Sequence, residues 1–124
     1  MRRPPRSISV PILRAKVWIE RDGKAALTDS GADLLEQIEA SGSLSEAARR
    51  LRYSYRRAWI LLDTMNRRWP EPLVTTAVGG KRGGGAKLTE LGSRVLRSFR
   101  DLQIHIEAAI DLEVDGFQRG TQAR

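Results

Sequence analysis

Two adjacent arginines, Arg56 and Arg57, follow Ser54 and Tyr55 in a stretch that has the composition of a helix start. A guanidinium group donates two parallel hydrogen bonds, which is the geometry that binds a phosphate or the major-groove edge of guanine. A serine just before a helix caps its first backbone N–H groups, so Ser54 is predicted to open a helix over residues 55–68. The first turn of this helix therefore indicates hydrogen bonding to an anionic, base-bearing ligand.

Helical spacing divides the side chains of this helix into two faces. The side chains predicted to cluster on the buried side are Ala58, Leu62, Met65 and Trp69. The opposite face is mostly cationic, with Arg56 and Arg67 outermost and Arg57 on its flank. An ordinary solvated helix would show the same two faces, so this pattern alone does not decide between the two interpretations.

Two aromatic residues, Tyr55 and Trp59, stand one turn apart at the head of the same helix. Either ring can lie against a sugar-phosphate or a thymine methyl group, or can pack on a neighbouring element. The hydroxyl of Tyr55 at the helix start favours a phosphate contact, whereas packing on the hairpin described below is favoured for Trp59. Both residues are kept as candidate contacts to nucleic acid.

A second helix is predicted before the basic one. Ser43 and Glu46 match a capping box, in which a hydroxyl and a carboxylate each bind a backbone N–H group of the helix start. The apolar residues that follow at helical spacing are Leu44, Ala47, Ala48 and Leu51. Because a tight turn separates the two helices, residues 43–68 are predicted to form a helix-turn-helix with the basic helix as its recognition helix.

A basic hairpin is predicted over residues 73–89, after two prolines that end the helix. Two runs of β-forming side chains flank a glycine-rich loop at residues 79–85, which carries Lys81 and Arg82. The hairpin is typical of a wing whose tip lies along DNA phosphates or enters the minor groove. A nucleotide-binding loop is the alternative, but neither common phosphate-loop spacing is present. The candidate DNA-binding residues are Ser54, Tyr55, Arg56, Arg57, Trp59, Arg67, Lys81 and Arg82.

Three elements are predicted before the helix-turn-helix. Residues 12–20 alternate between apolar and polar side chains, which predicts a half-buried strand. The Asp-Gly pair at residues 22–23 favours a hairpin turn, with a short return strand over residues 24–27. A helix capped by Thr28 or Ser30 follows, and Gly42 is predicted to end it in the left-handed conformation.

A long helix is predicted over residues 89–112, because apolar residues recur there at intervals of three and four. Such a helix is about 35 Å long, so one small domain cannot cover its whole apolar stripe, and a homodimer is predicted. The predicted interface residues are Val95, Phe99, Leu102, Ile106 and Ile110. A helix that curls back over its own core is the alternative. Residues 115–124 are predicted to form a flexible tail.

The composition narrows the class of protein. The 124 residues suit one domain, predicted over residues 8–114 after a basic disordered arm at residues 1–7. The net charge of +7 favours nucleic acid as a partner. There is no cysteine, and the single histidine, His105, has no metal-ligand spacing or acid site around it, so no enzyme, metal or cofactor is expected. No apolar run is long enough to cross a membrane, so a cytoplasmic protein is expected.

Four ordered segments resemble the N-terminal domain of ModE-type molybdate-responsive transcription regulators. They are residues 41–48 (SGSLSEAA), 54–59 (SYRRAW), 65–66 (MN) and 79–92 (GGKRGGGAKLTELG). The resemblance extends over residues 12–112, and LysR-type regulators share a looser version of the domain. It implies an α+β, mostly α, winged helix-turn-helix that binds double-stranded operator DNA as a homodimer. No residues remain after Leu112 for the family's molybdate-binding module, so molybdate binding is not expected.

The sequence leads to two hypotheses of function, which belong to different classes of protein. The leading one is a sequence-specific DNA-binding transcription regulator. The alternative is a winged-helix module that binds a protein partner without specific DNA readout, its charge serving solubility. Salt dependence separates them, because only phosphate binding releases many counterions.

Overall fold

The computed structural model describes residues 12–77 and 85–122 of the chain. Within these residues the fold is α+β and mostly helical, with two separate antiparallel hairpins, so the predicted class is confirmed. The elements in chain order are β1 (Ile19–Arg21), β2 (Lys24–Leu27), α1 (Asp29–Ser41), α2 (Leu44–Leu51), α3 (Tyr55–Arg68), β3 (Val74–Thr76), β4 (Ala86–Leu88) and α4 (Glu90–Thr121).

The first hairpin turns at Asp22 and Gly23, as predicted. Both residues have positive φ, 53° and 75°, and two such values in a two-residue loop match the twist of paired strands. Arg21 and Lys24 face each other across this turn. Glycine adopts the left-handed conformation at no steric cost, which is why the pair ends in Gly23.

The strand predicted over residues 12–20 is wrong for most of its length, because β1 starts only at Ile19. Residues 12–18 have no regular secondary structure, and most of their side chains are exposed. An alternating pattern forms a strand only where a partner strand takes its backbone hydrogen bonds, and β2 is too short to pair with residues 12–18. The segment lies beside α4 instead, where Leu13 lines grooves with Ile110 and with Phe117.

The first helix, α1, is capped at both ends. The Thr28 side chain accepts a hydrogen bond from the Gly31 N–H at 3.2 Å, so Thr28 and not Ser30 is the N-cap. Gly42 ends the helix with φ of 70°, and its N–H donates to the Ile38 carbonyl at 2.7 Å. The buried face of α1 consists of Gly31, Ala32, Leu34, Leu35 and Ile38. Since α2, α3 and α4 all pack on α1, it is the centre of the fold.

Only half of the capping box predicted for α2 is present. The Ser43 side chain accepts from the Glu46 N–H at 3.1 Å, but the Ser43 N–H donates to the Ser41 hydroxyl. The Glu46 carboxylate instead accepts hydrogen bonds from Arg49 at 2.9 Å and from Arg50 at 3.2 Å. These bonds, with Arg49 foremost, lower the pKa of Glu46 to about 2. The Glu46 carboxylate therefore binds two guanidinium groups one turn later in the helix, and it does not bind the Ser43 N–H as a full capping box requires.

Thr89 joins the second hairpin to α4. Its side chain accepts from the Gly92 N–H at 3.0 Å and donates to the Pro72 carbonyl at 2.7 Å. Its backbone N–H donates to the Leu73 carbonyl at 2.9 Å. At Gly92 the helix passes so close to this carbonyl that an added Cβ would lie 2.0 Å from its oxygen. The start of α4 therefore fits against the start of β3 only because residue 92 has no side chain.

Helix α4 continues past the predicted end at Leu112 to Thr121, through most of the predicted flexible tail. Residues 113–121 contain glycines but no proline, and glycine weakens a helix without removing a backbone hydrogen bond. Neither α4 nor any other helix in the described ranges is both long and apolar enough to span a membrane.

An arginine on α4 holds the helix against α1. The guanidinium of Arg100 donates to Asp33 at 2.8 Å and to Glu36, and Asp29 lies 3.9 Å away. Burial acts to lower the pKa of Arg100, but the hydrogen bonds to Glu36 and Asp33 outweigh burial and raise it above its usual value. The positive charge of Arg100 thus reduces the repulsion among three carboxylates along α1.

Trp69 closes the core at the end of α3. Its indole N–H donates to the Ala26 carbonyl at 3.0 Å, and the Arg21 guanidinium lies 5.3 Å from its ring centroid. The first hairpin is thereby attached to α3. The largest fully buried side chains of this core are Leu27, Leu34, Leu35, Ile38, Leu62 and Leu73.

Candidate nucleic-acid interface

A short turn fixes the start of α3. Ser54 is extended, with φ of −63° and ψ of 152°, and its side chain accepts from the Arg57 N–H at 3.0 Å, as predicted for an N-cap. Two residues earlier, Arg52 has φ of 59°, a conformation that non-glycine residues rarely adopt, and its N–H donates to the Arg49 carbonyl. The turn is hydrogen-bonded on both sides, so it sets the angle between α2 and α3.

The two predicted faces of α3 are present. The buried residues are Ala58, Leu62 and Met65, each at most 2% exposed. Arg56 and Arg67 are exposed on the opposite side. Arg67 pairs with Asp63 at 3.0 Å, whereas Arg56 has no ion-pair partner within residues 12–77 and 85–122. Arg56 can therefore bind a ligand without first breaking a salt bridge to a described residue, whereas Arg67 must first leave Asp63.

Arg57 lies at the side of this face. Its guanidinium carbon is 4.0 Å from the ring centroid of Tyr53, which is cation–π distance. The sequence placed Arg57 on the flank and left open whether it reads a base or contacts a phosphate, and the structure places its guanidinium over Tyr53 in the turn.

Tyr55 and Trp59 form an exposed pair. The indole N–H of Trp59 donates to the Tyr55 hydroxyl at 3.1 Å, and the two side chains are 44% and 54% exposed. Because the hydroxyl oxygen accepts this bond, its own hydrogen points away from Trp59 and is available to a further acceptor. The tip of the hairpin on which Trp59 is predicted to pack lies outside the described residues, so that interpretation stays a prediction.

Asn66 attaches α3 to the second hairpin. Its side-chain oxygen accepts from the N–H groups of Leu73 at 2.9 Å and Val74 at 3.2 Å, and its amide donates to the Val74 carbonyl at 3.1 Å. The sequence reasoning gave Asn66 no such role. The available signal was a polar residue directly after the buried Met65 and shortly before the prolines.

Ile60 is a further residue that the sequence reasoning did not select. It is 55% exposed and lies one turn after Arg56 on the outward face. A groove of about 400 Å³ lies beside it, lined by Ser30, Ser54, Arg56, Arg57, Ile60, Leu61 and Thr64. An apolar residue at the centre of a cationic face was the signal that could have identified it.

The predicted interface residues of α4 divide into two groups. Val95 and Phe99 are 9% and 2% exposed and belong to the core of the monomer, so this part of the prediction is corrected. They lie on the half of α4 that packs on the domain. In this half the helix covers the core of its own monomer, which was the alternative to the dimer. Leu102 is 37% exposed, and Ile106 and Ile110 are half-buried, so these three keep surface that a partner could cover.

Lys81, Arg82 and the basic arm at residues 1–7 lie outside the described residues, so their predicted roles stay predictions. His105 is exposed on α4. Within the described ranges there is no group of three or more His, Cys, Asp or Glu side chains that could hold a metal ion.

No protein-family model matches the chain, but several curated proteins do. The molybdenum transport protein ModE of Azotobacter vinelandii is 42% identical over 97 residues, which make up 78% of this chain and 36% of the relative. The DNA-binding transcriptional dual regulator ModE of Escherichia coli K12 is 42% identical over 74 residues, or 60% and 28% of the two chains. These similarities support a relationship to the ModE family.

The chain spans about a third of the length of the ModE-related proteins that it matches. A further relative, the molybdenum-pterin-binding protein MopA of Rhodobacter capsulatus, is 36% identical over 87 residues, or 70% of this chain and 33% of the relative. These three relatives are named as a molybdenum transport protein, a DNA-binding transcriptional dual regulator and a molybdenum-pterin-binding protein.

Proposed function

We propose that this ModE relative is a winged-helix transcription regulator that binds double-stranded DNA sequence-specifically, with α3 in the major groove. The observation that supports this most is Arg56, which is exposed and without an ion-pair partner among the described residues, on a helix whose other face is locked in the core. The first turn of the second helix in a helix-turn-helix meets base edges. Arginine at such a position pairs bidentately with guanine.

Around Arg56, the other candidate residues of α3 contact the phosphate backbone in this proposal. The Tyr55 hydroxyl donates its hydrogen to a phosphate, because its oxygen already accepts from Trp59. Arg57 over Tyr53 supplies positive charge beside the turn, and Arg67 does so once it leaves Asp63. Such contacts fix the orientation of the protein on the duplex and carry no sequence information.

The second hairpin serves as the wing. Asn66 fastens its first strand to α3, so β3 keeps a constant position relative to the recognition helix. Lys81 and Arg82 in the sequence of the loop between β3 and β4 contact phosphates. The net charge of +7 is consistent with a DNA-binding protein. A regulator of this kind would act in the cytoplasm.

Arg56→Ala should weaken binding to the operator by about 1–3 kcal/mol and relax the preference at one base position in each half-site. The double change Lys81→Ala with Arg82→Ala should instead weaken all sequences similarly and flatten the salt dependence by about one unit per lost phosphate contact. The measurement is affinity for operator and scrambled duplexes across a salt series, with the operator first selected from fragmented genomic DNA.

Arg97→Ala provides the matched control, since Arg97 is an exposed arginine on α4, remote from α3 in sequence. It should leave sequence preference unchanged. The assignment fails if the wing double variant loses only operator binding while Arg56→Ala loses both duplexes equally. If binding to every duplex is weak and independent of salt, the alternative of a protein-binding module replaces DNA binding.

A homodimer formed through the second half of α4 completes the proposal. Two large apolar side chains on one side of this helix, Leu102 and Phe117, are 37% and 59% exposed. Exposed apolar residues along one side of a helix are a liability in a monomer and are covered in a helix pair. Leu102, Ile106 and Ile110 recur four residues apart, which gives this surface a continuous stripe.

Leu102→Glu or Ile106→Glu should leave the domain folded and raise the dissociation constant of the dimer at least about tenfold, because each buries a charge in an apolar seam. Ala108→Glu is the control, since Ala108 is exposed on the opposite side of the helix. Sedimentation velocity measures the change. A wild-type protein that is monomeric at tens of micromolar would disprove the dimer, while DNA binding by α3 could survive.

Molybdate, in this proposal, does not bind the described domain. Two grooves beside α4 are lined mainly by apolar side chains, among them Leu13 and Val114 in one and Leu91 and Phe99 in the other. Such surfaces do not replace the hydration of a dianion. A third groove is lined by Arg14 and Lys16, but the carboxylates of Glu107 and Asp111 line it as well and would repel an anion. Neither the melting temperature nor the DNA affinity should change with molybdate or tungstate, and a clear melting shift at micromolar concentration would contradict this.

A further inference from the structure

Ile60 is an apolar side chain at the centre of a face that is otherwise polar and cationic. It projects from the same side of α3 as Arg56, four residues earlier, and is 55% exposed. The cluster of buried and partly buried side chains that forms the core does not include it. Ile60 therefore contributes little to the packing of the domain.

Helix stability does not explain Ile60 either. Isoleucine is a weaker helix former than leucine, arginine or glutamate, because its branched side chain loses rotamer freedom against the preceding turn. The neighbouring helices α1 and α2 expose no large apolar side chain, whereas α3 exposes Tyr55, Trp59 and Ile60. The exposed apolar surface of the helix-turn-helix is thus confined to the helix that carries Arg56.

The surroundings of Ile60 combine an apolar surface with cationic and hydroxyl groups. Leu61 and Ile60 line the groove of about 400 Å³, and Arg56, Arg57 and Thr64 also line it. The major-groove edge of a T·A base pair has the complementary chemistry, with the 5-methyl group of thymine beside hydrogen-bonding atoms and near the anionic backbone. The positive charge of the two arginines favours duplex DNA over an apolar protein segment as the occupant.

We propose that Ile60 contacts the 5-methyl group of a thymine in the major groove, close to the base that Arg56 binds. This inference rests on the proposed DNA-binding function and names a second residue that determines its specificity. Along the helix axis the two residues are about 6 Å apart, which corresponds to one or two base pairs at about 3.4 Å each. The operator half-site is thus expected to hold a thymine one or two positions from the base read by Arg56.

The test removes the methyl group alone. In the selected operator duplex, each thymine is replaced in turn by deoxyuridine, and affinity is measured for the wild type and for Ile60→Ala. The wild type should lose about threefold to tenfold in affinity at one thymine of each half-site, the range expected for one apolar contact. Ile60→Ala should bind the unmodified operator more weakly by a similar factor, and it should be indifferent to that replacement while responding normally at all others.

Two further variants secure the result. Ile104→Ala, on α4 at 61% exposure, removes an equally exposed isoleucine and should keep the wild-type pattern. Ile60→Gln introduces a polar side chain and a better helix former, and it should also lose the sensitivity to that thymine, which decides the matter if Ile60→Ala fails to fold.

The inference is overturned if the wild type is indifferent to every uracil, or if Ile60→Ala keeps the wild-type sensitivity at every position. Loss of self-association with an unchanged DNA pattern would also overturn it and would assign Ile60 to a protein contact. Failure of the proposed function is distinguishable, because no operator would then be enriched in the selection that precedes these measurements.

Discussion

Replacing Gly92 with alanine should lower the free energy of unfolding by about 3 kcal/mol or more, the high end for overpacking, because the obstacle is backbone. A Cβ at this position would lie 2.0 Å from the Leu73 carbonyl oxygen and 2.9 Å from its carbon. A flexible side chain could move aside, but this carbonyl accepts the Thr89 N–H. Either α4 shifts away from β3, or the hydrogen bond at Thr89 breaks.

Urea denaturation followed by circular dichroism measures the effect. Gly116→Ala is the matched control, since Gly116 lies in the same helix and an added Cβ there meets nothing within 4 Å. The control should raise stability by up to about 1 kcal/mol, because alanine is the better helix former. The close approach at Gly92 would be disproved if both variants changed stability by the same small amount.

Asn66→Ala should cost about 2–3 kcal/mol and should detach the second hairpin from α3. The substitution leaves two N–H groups and one carbonyl of Leu73 and Val74 without their partner, and partly buried groups of this kind are costly to leave unpaired. Native-state hydrogen exchange should show lost protection at these two amides before the helices are affected. If the proposed wing binds phosphates, affinity for all DNA sequences should fall with it.

Asp63→Ala on the same helix is the control for Asn66. Its carboxylate pairs only with the exposed Arg67 among the described residues, so stability should stay within about 0.5 kcal/mol of the wild type. An Asn66→Ala variant that behaves like this control would show that the hairpin is held by its apolar contacts alone.

The parts of the fold that could be predicted were those with local causes. Ser54 caps α3, Gly42 ends α1 and the Asp22-Gly23 pair forms a turn because each depends on a few neighbouring residues. The outward position of Arg56 followed from helical spacing in the same way. Local capping, turn chemistry and periodicity were enough for these assignments.

The errors came from long-range packing. The alternation of residues 12–18 could not show that no partner strand lies beside them, and the apolar stripe of α4 could not show that Phe99 faces its own domain while Leu102 is exposed. The partner of Asn66 is a backbone eight residues away, and the contact of Gly92 with Leu73 spans a hairpin. Such features depend on contacts between different helices and strands. The spacing of residues within one helix or strand does not predict these contacts.

The contacts of Thr89 and Gly92 with Leu73 would affect the spacing between the two DNA half-sites that a dimer binds. Leu73 is held to α4 on one side and to α3 through Asn66 on the other, so the helix and the recognition surface must move together. In the proposed dimer, the pairing register of the two α4 helices would then set operator spacing. A slip of one helical turn, about 5.4 Å, exceeds the step of one base pair, about 3.4 Å. Half-sites one turn of DNA apart, about 34–36 Å, would fit only one such register.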